Sequence, residues 1–265
     1  MIMRLAFLLV ALAAMLAPGA AEPRYGAPAA EFAAHLERLR HAYPKTIKGV
    51  DDGALALADG SRIAISDGRT DKSFDELLDA PDIDDMFAFP YPAGALLQAP
   101  PRNFDPGRVR VQALFLALYG DCRKGEVAPR LRNIRWVPAH GGGTVAFTTA
   151  QGADRALEAV SRDLDRLPKR FTKYLTPSAG TYNCRTIAGT DRLSVHAYGA
   201  AIDLNVKHSA YWRWARADAA GNHRWTNQIP VEIVDIFERH GFVWGGRWYH
   251  FDTMHFEYRP ELLAR

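Results

Sequence analysis

The sequence predicts an α+β fold: a small antiparallel sheet flanked by helices, with a helix and hairpin extension on its N-terminal side. Helical and strand periodicities both occur but do not alternate regularly, which argues against a doubly wound parallel sheet. Residues 200–206 and 254–258 alternate apolar and polar side chains with the period of two that a half-buried strand requires. Residues 153–167 and 230–240 instead repeat their apolar residues at helical spacing.

The elements follow in chain order. Residues 31–43 read as a helix with Phe32, Leu36 and Leu39 on one face. Across 54–66, Leu55 and Leu57 are followed by the turn Asp59-Gly60 and then Ile63 and Ile65, a hairpin pattern. Ser73 is placed to cap a short helix through Leu77 and Leu78. The stretch 81–106, with Pro90, Pro92, Pro100 and Pro101, is either a linker or an irregular strap over the core. Residues 109–119 are strongly apolar and fit a buried helix or a strand. Two strands, 133–137 and 144–148, surround the turn His140-Gly141-Gly142-Gly143. Leu157, Val160, Leu164 and Leu167 mark the next helix. Ile233, Ile236 and Phe237 form the inward face of the last one, which Gly241 stops. These readings divide the chain into an N-terminal extension, 22–106, and a second domain, 107–265.

The 265 residues are 48% hydrophobic and 24% charged, enough apolar material for one sizeable core. A formal charge of +3, with no Lys/Arg block or interleaved aromatic stripe, excludes nucleic acid as an expected partner. Residues 1–21 read as an export signal: Arg4 precedes an apolar run from Leu5 to Leu16, and Pro18, Gly19, Ala20 and Ala21 lead to cleavage after Ala21. The run falls short of the roughly 20 residues that span a bilayer, and no other segment comes closer. The mature protein is therefore expected outside the cytoplasm, in the periplasm or cell-wall space, without a membrane span. Cys122 and Cys184 allow one pairing, which export favours over two buried thiols. Nothing in the sequence bears on oligomeric state.

The chemistry lies in two segments. In 194–205, Ala200, Ile202, Leu204 and Val206 point to one side of a strand, while Ala201, Asp203 and Asn205 point to the other. Gly199 lets the preceding chain bend so that His196 can approach Asp203. In 248–258, Met254, Phe256 and Tyr258 form one strand face, and His255 and Glu257 the other. Two histidines and an aspartate suit Zn²⁺, whose catalytic sites use three nitrogen or oxygen ligands and leave a fourth position to water. Such chemistry also needs a carboxylate free to take a proton from that water.

The pattern S-x-H-x-x-G-x-A-x-D, filled by Ser194, His196, Gly199, Ala201 and Asp203, resembles the zinc D-alanyl-D-alanine carboxypeptidases and dipeptidases of the VanY and VanX type. It is also similar to the L-alanyl-D-glutamate endopeptidases among phage endolysins. The resemblance covers residues 176–258. It implies that His196, Asp203 and His255 hold zinc, that Asp252 is the general base, and that Arg185 stabilises the oxyanion or a substrate carboxylate. The carboxypeptidase branch carries Glu at the base position, so Asp252 looks more like the endopeptidase branch.

Glu257 is the competing base, or else the partner that orients His255 through its other ring nitrogen. Asp252 can reach the metal site only if the chain bends near Thr253, because residues three apart on a regular strand face opposite sides. Ser194, Tyr198 and Trp248 are candidate substrate-binding residues, Ser194 as a hydrogen-bonding group rather than a nucleophile. His140, His223 and His250 carry no spacing signal and read as ordinary residues. The expected activity is hydrolysis of peptidoglycan stem peptides. The alternative is a non-catalytic zinc-containing module that binds wall peptides.

Overall fold

The computed structural model describes residues 23–26, 32–219 and 221–263, so the predicted signal segment, its cleavage point and Glu31 lie outside the described residues. Helix α1 (Phe32–Ala42) leads into a three-stranded meander, β1 (Ile47–Asp51), β2 (Ala54–Leu57) and β3 (Arg62–Ala64). The predicted hairpin is β2–β3, with Leu55 opposite Ile63. The sequence reading missed β1, whose exposed, Gly-interrupted pattern carries no alternation. Ser73 caps α2 (Phe74–Asp79) in both directions: its hydroxyl accepts from Glu76 N, and its own N–H donates to Glu76 Oε2 at 2.8 Å.

The proline-rich stretch is a strap, not a linker. Ile83, Met86 and Phe87 are buried in a core shared with α1 and the meander. The Tyr91 hydroxyl donates to Glu238 at 2.8 Å and accepts from Trp244 N at 2.8 Å. Beyond the strap, α3 (Gln112–Tyr119) settles the 109–119 ambiguity as a helix with Leu114, Phe115, Leu118 and Tyr119 buried. These residues join Leu39, Tyr43 and Leu55 in one core, which therefore contains side chains from both sides of position 106.

Strands β4 (Leu131–Arg135) and β5 (Thr144–Thr148) pair antiparallel. Helix α4 (Ala153–Asp165) buries Leu157, Val160 and Leu164, and the short α5 (Thr172–Leu175) follows it. Helix α6 (Val231–Arg239) buries Ile233, Ile236 and Phe237 and gives way to Gly241 at φ +87°. The last sheet has the order β6 (Ala201–Asp203), β8 (His255–Tyr258), β7 (Phe242–Trp244), all antiparallel.

That sheet divides two cores. Ile202, Phe242, Trp244 and Phe256 pack with α4, α6 and the β4–β5 hairpin on one face. On the other face Ala201 and Val243 meet the core built by α1 and α3. The period of two does the sorting: Ile202 pairs with Phe256, and Asp203 with His255. The alternation expected through Val206 stops early, and Val206 is exposed at the start of a 3₁₀ turn. Asn205 causes this: its Oδ1 caps the turn, and its Nδ2 donates to Lys173 O at 2.9 Å and Thr176 O at 2.8 Å.

Candidate metal centre

His196 sits in a 3₁₀ turn, Val195–Tyr198, capped by the Ser194 hydroxyl, which accepts from His196 N. Gly199 ends the turn at φ +65°, where a Cβ would come within 2.7 Å of Leu131 Cδ2, so no larger residue fits without repacking. Immediately after it, β6 presents Asp203 opposite His255 of β8. Ligand atoms of His196, Asp203 and His255 all lie within 4.8 Å of one another, and the three could hold a metal ion.

The hydrogen bonds show which nitrogens face inward. His196 Nδ1 lies 2.8 Å from Thr181 O, a carbonyl that can only accept, so Nδ1 carries the proton and Nε2 a lone pair. His255 Nε2 lies 3.3 Å from Glu257 Oε2, which likewise leaves Nδ1 with the lone pair. His196 Nε2 and His255 Nδ1 then approach to 3.2 Å, and the Asp203 oxygens stand 3.2 and 3.0 Å from them. Two lone pairs and a carboxylate at that spacing require a cation among them. If the cation is a proton, His255 holds it: burial disfavours the imidazolium, but Asp203 and Glu257 outweigh that and drive its pKa up to about 10. In that protonated state burial would raise the Asp203 pKa, yet its interactions with His196 and His255 hold it well below the carboxylate range. The donor set, two imidazoles and a carboxylate with both outer nitrogens already engaged, fits zinc.

The chain does bend at Thr253. His255 N donates to Asp252 O at 3.2 Å, closing a turn, and Thr253 is pinned by Ala210 N on its hydroxyl at 2.7 Å. The turn brings Asp252 into the cavity that the three clustered residues line. Its Oδ1 is buried without a partner, and burial pushes its pKa up to about 6. A carboxylate so placed is poised to exchange a proton near neutrality. Glu257 is not: it is fully buried, bonded to His255, and flanked by Arg110 at 3.2 Å and Arg259 at 3.2 Å. Burial is outweighed there by these cations, which bring its pKa down to about 2. Of its two expected roles, these contacts match the one in which it orients His255.

Ser194, Arg185 and Trp248 all line the cavity, the Trp248 ring lying 5.7 Å from that of His255. Tyr198 does not. It is buried in the core with its ring 5.6 Å from Phe115 and 5.9 Å from Tyr119, because the turn that aims His196 at β8 rotates the residue two further on into the apolar side. The cavity also takes residues the sequence reading passed over: Arg108, Arg110, Tyr211, Trp212 and His250. Tyr211 forms a bridge with Asp252, a pairing that no local pattern announces.

Cys122 and Cys184 are joined, with Cα atoms 5.7 Å apart, and the bond ties the turn after α3 to the residue before Arg185. Reduction should lower stability by on the order of 4 kcal/mol in the chain-entropy account of a loop this long. It should also weaken turnover by loosening the segment that carries Arg185. Urea midpoints and peptide hydrolysis measured with and without reductant check this; unchanged values in both would refute it.

No curated protein and no solved structure matches the chain. Residues 188–258, which carry Ser194, His196, Asp203, Asp252 and His255, match the model of a family described as D-alanyl-D-alanine carboxypeptidase, in agreement with the resemblance read from the two motifs.

Proposed function

We propose that the protein is a zinc-dependent peptidase that hydrolyses peptide bonds of peptidoglycan stem peptides, with His196, Asp203 and His255 as the zinc ligands. The observation that carries this reading is the convergence of two lone pairs and a carboxylate beside an unpartnered Asp252 oxygen, within a segment matching a peptidase family. Zinc held by the three residues would supply a Lewis acid for the scissile carbonyl and a lowered pKa for water. Thr181 O and Glu257 keep the two imidazoles in the tautomers that ligation needs. Asp252 takes the proton of the attacking water on its free carboxylate oxygen and passes it to the leaving amine. Arg185, at the cavity wall, steadies the oxyanion or a substrate carboxylate. The export signal expected at 1–21 would place this activity in the periplasm or cell-wall space, where its substrate lies.

A dipeptidase must close around a free amino group as well as a carboxylate. The cavity wall offers arginines, whereas both of its carboxylates, Asp203 and Asp252, are committed to metal binding and proton transfer in this reading. Cleavage is therefore expected within, or at the carboxyl end of, a stem peptide, with little action on free D-Ala-D-Ala. Mass analysis of both substrates offered side by side tests this, and faster hydrolysis of the free dipeptide would overturn the specificity. A non-catalytic wall-binding module would instead leave every stem peptide intact at full zinc occupancy.

A further inference from the structure

The strap enters the cavity wall. Residues 104–108 are stitched to the loop after Trp248: Tyr249 N donates to Phe104 O at 2.9 Å, and Trp248 Nε1 to Pro106 O at 2.7 Å. Between them the Asp105 carboxylate accepts from His250 N at 3.0 Å and from His250 Nδ1 at 2.8 Å. The same carboxylate, fully buried, accepts from Arg108 Nη1 at 2.9 Å. Arg108 lies over the Trp248 ring, 5.6 Å from its centroid, and that ring is in turn 5.7 Å from His255. Arg108 thus borders the cavity that Asp252 also lines, with its side chain only 19% exposed.

A guanidinium that is braced by a buried aspartate, laid on an aromatic face and turned to a concave site is already ordered, so a ligand need not supply that ordering. Its planar fork has five donors, of which Asp105 takes one, and it matches a carboxylate in two-pronged geometry. The neighbouring Arg110 is differently committed, to the buried Glu257. Arg108 also lies outside the matched stretch 188–258, so this feature comes from the N-terminal part of the chain.

We propose that the strap is part of the substrate site, with Arg108, braced by Asp105, receiving a carboxylate that the peptide carries beside the bond to be cut. This rests on the peptidase reading above for the identity of the peptide. Stem peptides offer such groups at the carboxyl terminus, on the isoglutamyl residue and on the diamino acid.

Calorimetric titration of the zinc-loaded Asp252→Ala protein with one stem peptide and its three singly amidated forms separates these sources. One amide should bind about 10- to 100-fold more weakly than the free acid, as expected for loss of a charge-assisted pair. Arg108→Gln should weaken the free acid by the same factor and leave that amide unchanged, and Arg108→Lys should recover part of the loss. A purely structural role for Arg108 would depress all four peptides alike, and that result overturns the proposal. So would equal binding of the acid and every amide, or no binding at all. Turnover of the same peptides by the unmutated protein is read separately: binding without cleavage would sink the hydrolase reading and leave the carboxylate clamp standing.

Discussion

His196→Ala and His255→Ala should each strip zinc from the purified protein, whereas the unmutated chain should hold one zinc. Removing an outer partner of a metal-bound histidine typically costs on the order of 10- to 100-fold in affinity. Loss of a direct ligand from a set of three should therefore exceed ~100-fold. The His255 variant is the more disruptive of the two, because it also leaves Glu257 buried between Arg110 and Arg259 without its imidazole partner. Elemental analysis after dialysis against trace zinc provides the measurement. Equal zinc content in the unmutated and both mutant proteins would sink the ligand assignment, as would an unmutated protein with no metal above background.

Asp252→Ala should keep zinc and fold but lose turnover by roughly 10²- to 10⁴-fold, the usual contribution of a positioned general base. The substitution removes a carboxylate whose Oδ1 has no partner, so it breaks no hydrogen bond at that atom. The pH profile adds a second readout. Burial raises the Asp252 pKa to about 6, and only the deprotonated form can accept a proton. Activity should therefore fall as pH drops through about 6, or somewhat lower once a cation stands beside the carboxylate. Residual activity of Asp252→Ala should lack that acid limb. Should Glu257→Gln abolish turnover at full zinc occupancy while Asp252→Ala does not, the roles of the two carboxylates are reversed.

Much of this protein was legible in its sequence, because the relevant signals are local. The alternation in 254–258 placed His255 and Glu257 on one strand face, and β8 carries them so. Helical spacing identified α4 and α6 with their buried residues, and Ser73 marked a real cap. Fixed spacing around Gly199 brought His196 and Asp203 together, since one turn and one short strand separate them. What only the tertiary structure decided depends on partners far away in the chain. Arg110 and Glu257 lie 147 positions apart, so the ion pair that sets the Glu257 environment could not be read from the face Glu257 shares with His255. Tyr198 left the site because α3 supplied an apolar face for it. The proline-rich stretch is a strap rather than a linker because Asp105 and Pro106 bond to His250 and Trp248, partners more than 140 positions away. Periodicity reports which side of an element is apolar, but not which distant element covers it. The charges and hydrogen bonds that assign chemical roles in this site form only after that packing is complete.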